Sequence, residues 1–178
     1  INCNNVKNLY RNLKFMKKFI LLIILCINLF AWDFKYKELS QEEANLTNKL
    51  IKIGEPHGLG LELAAIGIVE TRLGKIESNS NYICGMHQLN TNITMKRINS
   101  RGDKSKLCEE LNTNENLSSI FALNELIYWK KYNKNNISKM IMCYNSGFEK
   151  STHSKEYLRR FMIVYNELKK ENKSYIRT

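Results

Sequence analysis

Residues 61–74 read Leu61-Glu-Leu-Ala-Ala-Ile-Gly-Ile-Val-Glu70-Thr-Arg-Leu-Gly74, and this stretch decides the fold. It is apolar nearly all round rather than along one stripe, which marks a helix buried among other elements. Gly74 is the expected C-terminal stop. Working toward the N-terminus, Ser40-Gln-Glu-Glu43 has the form of a capping box, with Ser40 placed to accept an N–H and Glu43 to reach back. The helix it opens runs through Leu46, Leu50 and Ile53, ends at Gly54 and Pro56, and hands over to a turn at Gly58 to Gly60.

Toward the C-terminus, residues 75–90 are polar and turn-rich and end in Gly85-Met-His-Gln-Leu-Asn90. A short amphipathic helix is expected over 92–99 and a loop over 100–115. Three helices follow. The first spans Leu117 to Tyr132 with Leu117, Ile120, Phe121, Ala122, Leu126 and Trp129 inward. The second spans Ile137 to Tyr144 and stops at Asn145-Ser-Gly147. The third spans about Lys155 to Lys170, with Leu158, Phe161, Val164, Tyr165 and Leu168 as its stripe. The one proline and the scarcity of strand-like alternation agree with this reading. The expectation is an all-α chain with one helical domain over 43–170, a lead-in at 32–42 and a tail at 171–178.

The chain has 178 residues, 43% of them hydrophobic and 25% charged, which excludes wholesale disorder and sets one domain as the default. Its first Met is Met16. Lys17 and Lys18, the apolar run Phe19 to Phe30 and the small Ala31 read as a secretory signal over 16–31, with residues 1–15 as upstream sequence. The 13 residues Phe19–Ala31 make a helix of about 20 Å, short of the roughly 30 Å hydrocarbon core, so no lasting membrane span is expected. Removing 1–31 takes away five basic residues and no acid, moving the net charge from +11 to +6. A mild basic excess suits an anionic polymer such as a cell wall. No run of five basic residues and no nucleic-acid-binding motif is present, so nucleic acid is not the expected partner.

Cys84, Cys108 and Cys143 remain in the exported part. One disulfide with a free thiol, in any of three pairings, and three reduced thiols are both open. Cys84-x-x-His87 has the form of half a zinc site, but Cys108 and Cys143 lack close ligand spacing, and no metal or other cofactor is expected. His57 and His153 flank helices, where they cap or face water.

Glu70 is the residue out of place. An ionised carboxylate on an apolar helix is costly, and the last helical turn disfavours negative charge. Both effects favour the protonated acid near neutral pH, the form general-acid catalysis uses. The bland alternative is that Glu70 points outward or pairs with Arg72 or Lys75. Of the aromatic residues Tyr128, Trp129, Tyr132, Tyr157 and Tyr165, most fall at core spacing, and one or two could line a sugar groove.

Five short motifs stand in order: Glu70-Thr71, Gly85-Met86-His87-Gln88, Asn116-Leu117, Cys143-Tyr144-Asn145-Ser146-Gly147 and Tyr157-Leu158. Across about residues 43–168 the chain resembles the catalytic domain of soluble lytic transglycosylases, which are related to goose-type lysozyme. The family pattern has Glu-Ser, Gly-Leu-Met-Gln, an Asn-(Leu/Ile) helix, Ala-Tyr-Asn-x-Gly and a closing Tyr-(Val/Leu) helix. The resemblance implies a lysozyme-like fold and a periplasmic enzyme, monomeric, acting on peptidoglycan glycan strands. It implies cleavage of the β-1,4 bond between N-acetylmuramic acid and N-acetylglucosamine with closure of a 1,6-anhydro ring. Glu70 would be the sole acid/base. Thr71, Gly85, Met86, His87, Gln88, Tyr144 and Asn145 would contact or shape the saccharide site. Met86 stands for the family Leu, His87 for its Met, Thr71 for its Ser and Cys143 for its Ala. His87 could alter substrate contacts, though a water-facing ring is the simpler expectation. Asp33 and Asp103 lie in no matching motif, so a hydrolytic muramidase with a second carboxylate is the enzymatic alternative, and it would need Glu77 or Asp103 to fold inward. A weakly catalytic or non-catalytic accessory of a secretion, conjugation or flagellar machine is the alternative from another class.

Overall fold

The central feature of the computed structural model is the buried helix the sequence announces, one of seven α-helices among the described residues. The structure describes residues 34–76, 80, 82–148 and 151–175. The signal segment 16–31 and Glu77 therefore lie outside the described residues. Phe34–Thr178 forms one compact unit, and the described residues are all-α apart from one two-stranded ribbon.

After a short 3-10 turn at Tyr36–Glu38, α1 spans Gln41–Gly54. The expected capping box is present: Ser40 Oγ accepts from the Glu43 N–H at 3.2 Å, and Glu43 accepts from the Ser40 N–H at 2.7 Å. A 3-10 turn at Glu55–His57, with Pro56 inside it, leads to Gly58 in the left-handed region at φ 60°. α2 spans Gly60–Thr71 and packs against α1 at very short range. A Cβ on Gly60 would sit 2.5 Å from the Ile51 carbonyl oxygen, so glycine is required where the chain doubles back. Gly60 thus opens the helix rather than closing the turn before it.

α2 ends differently from expectation. Its stop is Arg72, at φ 50°, followed by Leu73 at φ 61°, and not Gly74. The left-handed conformation strains a side-chain-bearing residue by about 1–2 kcal/mol. Interactions at both positions oppose that cost. Arg72 reaches Glu43 at 3.2 Å, and Leu73 is buried.

β1 (Ile83–Cys84) and β2 (Leu89–Asn90) pair antiparallel, Cys84 opposite Leu89, and hold Gly85–Gln88 as the connecting turn. α3 spans Thr91–Arg97, capped by Asn90. α4 spans Lys104–Thr113, where a loop was expected; Asp103 caps it and Cys108 and Leu111 anchor it inward. α5 spans Glu115–Tyr132, α6 Ile137–Ser146 and α7 Thr152–Tyr175. Gly147 ends α6 at φ 68°, and α7 runs past Lys170.

α2 touches α1, α5 and α7, and α6 packs between α5 and α7. Eight side chains of α2, among them Leu63, Ile66 and Ile68, are buried there. The inward face of α5 differs from the expected stripe. Ser118, Ser119, Ala122, Leu123, Leu126 and Trp129 face the core, while Ile120 is half exposed. The reason is the Gly85–Gln88 turn, which presses so close that a Cβ on Gly85 would meet Ser118 Oγ at 2.6 Å. Only a small residue fits there. Tyr132 also faces outward, whereas Tyr157 is sealed in the core. No helix among the described residues is long and apolar enough to cross a membrane.

Candidate active site around Glu70

Three of the sequence motifs come together through two hydrogen bonds. Thr71, at the end of α2, donates through Oγ1 to the Met86 carbonyl at 2.7 Å. Tyr144, in the last turns of α6, donates through its hydroxyl to the His87 carbonyl at 2.9 Å. The Gly85–Gln88 turn is thereby tied on one side to the acid-bearing helix and on the other to the Tyr-Asn helix. The disulfide Cys84–Cys108 holds the same turn to α4, and Asn112 Oδ1 accepts from the Gly85 N–H at 2.7 Å. That pairing resolves the cysteine question: Cys84 and Cys108 are bonded and Cys143 is a buried free thiol. With both sulfurs in a disulfide, neither can serve as a thiolate ligand to zinc.

Glu70 sits on α2 with only partial exposure. Burial pushes its carboxyl up to about 7, against the opposing pull of the Tyr157 hydroxyl and, less strongly, the Arg160 charge. Tyr157 and Arg160 both come from α7, three residues apart and so on neighbouring positions of one helix face. The Tyr157 hydroxyl is near enough to favour the ionised acid but has no partner in hydrogen-bond geometry. Burial also holds the phenols of Tyr157 and Tyr144 well above their ordinary range, and the Glu70 charge adds to the effect on both. These tyrosines are therefore neutral donors beside the acid. Arg72 and Lys75, the alternative partners for Glu70, both pair with Glu43 at 3.2 Å.

Two hollows adjoin at Gln88. The larger, about 380 Å³, is lined by Thr71, Gly74, Ile76, Gly85, Met86, Gln88 and Asn112. The smaller, about 280 Å³, includes Gln88, Glu125, Trp129, Tyr144 and Asn145 in its lining. Glu70 is in the lining of neither hollow, and it lies within electrostatic reach of Tyr144. Gln88 takes φ 50°, and its Nε2 donates to the Gly85 carbonyl at 3.0 Å, which fixes the side chain between the two hollows.

The candidate residues divide by what they touch. Gln88, Met86, Tyr144 and Asn145 line the hollows. Thr71 and Gly85 line the larger one but are occupied by the fold: the Thr71 hydroxyl also accepts from the Gly74 N–H at 2.8 Å. His87 departs most from expectation. Its ring is wholly buried rather than facing water and lines neither hollow, so it contacts the core and not a ligand there. Nδ1 lies 3.3 Å from Ser118 Oγ, and burial pushes the ring down to about 4. It is therefore neutral at pH 7. The Leu63 carbonyl is close enough to pull slightly the other way, without forming a hydrogen bond to Nε2.

Sequence reasoning placed Tyr157 and Trp129 in the core and passed over Arg160 and Glu125. The Tyr157-x-x-Arg160 spacing was the available signal for the first pair. Glu125 gave none, since a carboxylate in a polar-flanked helix reads as surface. In the fold Arg97 grips Glu125 with two bonds, of 2.8 and 3.0 Å, and the guanidinium lies 3.2 Å over the Tyr128 ring. Asp103, expected with Glu77 as a possible second carboxylate, caps α4 instead, accepting from the Ser105 N–H at 2.8 Å. No family model, curated protein or solved structure matches the chain.

Proposed function

We propose that the chain is a peptidoglycan lytic transglycosylase, of lysozyme-like fold, with Glu70 as its single acid/base. The observation that carries the reading is the pair of hydrogen bonds by which Thr71, next to the part-buried Glu70, and Tyr144 tie the acid-bearing helix and the Tyr144-Asn145 helix to the Gly85–Gln88 turn, and burial pushes the Glu70 carboxyl up to about 7 there. A group with that pKa is protonated in a large fraction of molecules at neutral pH, yet its conjugate base is strong enough to recover a proton.

The reaction needs both forms in turn. Glu70 gives its proton to the glycosidic oxygen as the C1–O bond breaks, and the leaving sugar departs as an alcohol. The C6 hydroxyl of the muramic residue then closes on C1, and the Glu70 carboxylate takes the hydroxyl proton. The acid is restored, no water is consumed, and the product carries a 1,6-anhydro ring. Tyr144 and Tyr157 supply uncharged hydroxyls beside the changing charge. Gln88 and Asn145 offer amides to the sugars in the hollows.

One observation favours hydrolysis instead. Glu125 lines the smaller hollow, fixed by Arg97, and a second carboxylate on a saccharide groove is what a water-activating muramidase uses. A muropeptide digest separates the two readings. The protein and its Glu70→Gln variant are incubated with peptidoglycan, and the products are read by mass spectrometry. Anhydro-muropeptides from the wild type alone are expected. Reducing-end products, heavier by one water, would transfer the assignment to a hydrolase with Glu125 as second carboxylate. A folded wild type that releases nothing would overturn both.

A further inference from the structure

Glu43 makes more bonds than its place in a capping box requires. A capping box needs one bond from its glutamate, back to the N-cap N–H. The Glu43 carboxylate has that bond, accepting from the Ser40 N–H at 2.7 Å, and two more from beyond the end of α2: Arg72 Nε donates at 3.2 Å and Lys75 Nζ lies at 3.2 Å, both on Oε1. The carboxylate side chain is 3% exposed, whereas the two cations keep about half of their surface in water. Exposed ion pairs contribute little to stability, and an enclosed charge is tolerated only with its partners. Two cations brought onto one enclosed carboxylate therefore fix a position more than they add stability.

The position is that of the chain where it leaves α2. Arg72, Leu73 and Gly74 stand in succession at φ 50°, 61° and 87°. Only the third is a glycine, so the reversal is strained at two residues. Arg72 and Lys75, the residues that Glu43 holds, are the first of this run and the one that follows it. Glu43 thus brackets the reversal from α1. Inside the bracket the Gly74 N–H donates to Thr71 Oγ1 at 2.8 Å, and Thr71 Oγ1 donates to the Met86 carbonyl at 2.7 Å. Thr71, Gly74 and Ile76 line the larger hollow, and Glu70 comes one residue before them; Glu43 lines neither hollow. Resting on the transglycosylase reading above, we propose that Glu43 is a positioning residue for Glu70. By holding Arg72 and Lys75 it keeps the end of α2 in its left-handed reversal, Thr71 on the Gly85–Gln88 turn, and the Glu70 carboxyl at one fixed place against the glycan. Glu43 touches no sugar and transfers no proton.

The test measures kcat and KM separately on soluble glycan strands, at a temperature where each variant is folded by circular dichroism. Glu43→Gln keeps the size and an oxygen for the Ser40 N–H but loses the charge that holds both cations. It should lower kcat about tenfold with KM within about twofold of the wild type, since a small displacement of the acid slows the chemical step more than it weakens binding. Ser40→Ala removes the other half of the capping box and leaves the cations on Glu43. It should melt lower than the wild type and keep the wild-type kcat. Arg72→Gly in the Glu43→Gln chain supplies a rescue. Glycine takes φ 50° without strain, so the reversal no longer needs the carboxylate, and kcat should return to within about threefold of the wild type. A wild-type kcat in Glu43→Gln, an equal loss in Ser40→Ala, or a loss that Arg72→Gly does not relieve overturns the positioning role and leaves the transglycosylase reading standing. If Glu43→Gln does not fold, Lys75→Gln decides, because its side chain is half in water and folding survives its loss. It should lower kcat about threefold at unchanged KM, and a wild-type kcat there overturns the role. The rates are read on whichever product forms, so reducing-end products overturn the transglycosylase reading alone. A wild type that releases nothing overturns both.

Discussion

Burying Glu70 works against folding, and the sign of that opposition is measurable. The carboxyl binds its proton at about 7 in the folded chain and near 4.5 when the chain is unfolded. Below pH 4.5 both states are protonated and the residue makes no difference. As pH rises from 4.5 to 7 the unfolded chain ionises first, so stability falls, and above 7 the whole penalty stands. A gap of that size amounts to roughly 2–3 kcal/mol once the partial exposure of the residue is allowed for. Glu70→Gln keeps the shape and removes the charge. It should therefore melt about 5 °C or more above the wild type at pH 8 and together with it at pH 4, in thermal unfolding followed by circular dichroism. The same variant should lose about 10²–10⁴-fold in anhydro-product formation. A gain in stability with a loss of activity at one residue marks a group held in place for chemistry. An equal melting difference at both pH values would show that the carboxyl is not desolvated.

Among the elements, the two-stranded ribbon positions the site although it is the smallest. Gly85 takes φ 77°, a conformation glycine alone adopts without strain, and its neighbours leave no room for a Cβ. The Cys84–Cys108 bond then ties the ribbon to α4 across 24 residues of sequence. Closing a loop of that length stabilises the fold by about 3 kcal/mol in the chain-entropy view. Replacing both cysteines by serine should lower the melting temperature by about 6–12 °C, and amide exchange should accelerate first in Gly85–Gln88. Exchange that rises uniformly over all the helices would remove this element-level role.

The elements also show what sequence carries. α2 and the capping box of α1 were legible because burial and capping leave local marks. α4 was not. Leu107, Cys108 and Leu111 are its only apolar residues, too few to raise a helical period above the polar residues between them. The face of α5 was misjudged because Ser118 is buried against a turn that arrives from about thirty residues upstream. The same distance dependence hid Arg160 and Glu125: each is ordinary in its own helix and joins the site only through the packing of α5, α6 and α7. His87 misled for a chemical reason, since a lone histidine in a polar stretch carries no sign of being enclosed.

For the whole molecule, α2 is the shared wall of two titrating groups that act in opposite directions. Glu70 lies at its end, and the His87 ring packs against its middle, where a Cβ on Gly67 would lie 3.3 Å from Nε2. His87 binds a proton at about 4 when folded against 6.5 when unfolded. Its contribution is therefore fully present above pH 6.5 and lost as pH falls toward 4, because the unfolded chain takes up the proton first. Glu70 does the reverse over nearly the same range, its penalty fading as pH falls from 7 to 4.5. Each amounts to roughly 2–3 kcal/mol, so the two largely cancel, and the wild-type stability should change little between pH 7 and 4.5. Glu62, whose carboxyl is also raised by burial, inclines the profile the same way as Glu70. Glu43, held down at about 2 by its bonds to Ser40 and Lys75, enters only below pH 4.5. Removing one member of the pair should uncover the other. Relative to the wild type, Glu70→Gln should lose stability on acidification from pH 7 to 4.5, and His87→Leu should gain it. The double variant should return to the wild-type slope, offset by a pH-independent loss because Ser118 gives up its ring partner. Urea unfolding at four pH values across this window measures all three slopes. Slopes of the same sign for the two single variants would mean that one of these groups is not enclosed as described, and the flat profile would then need another cause.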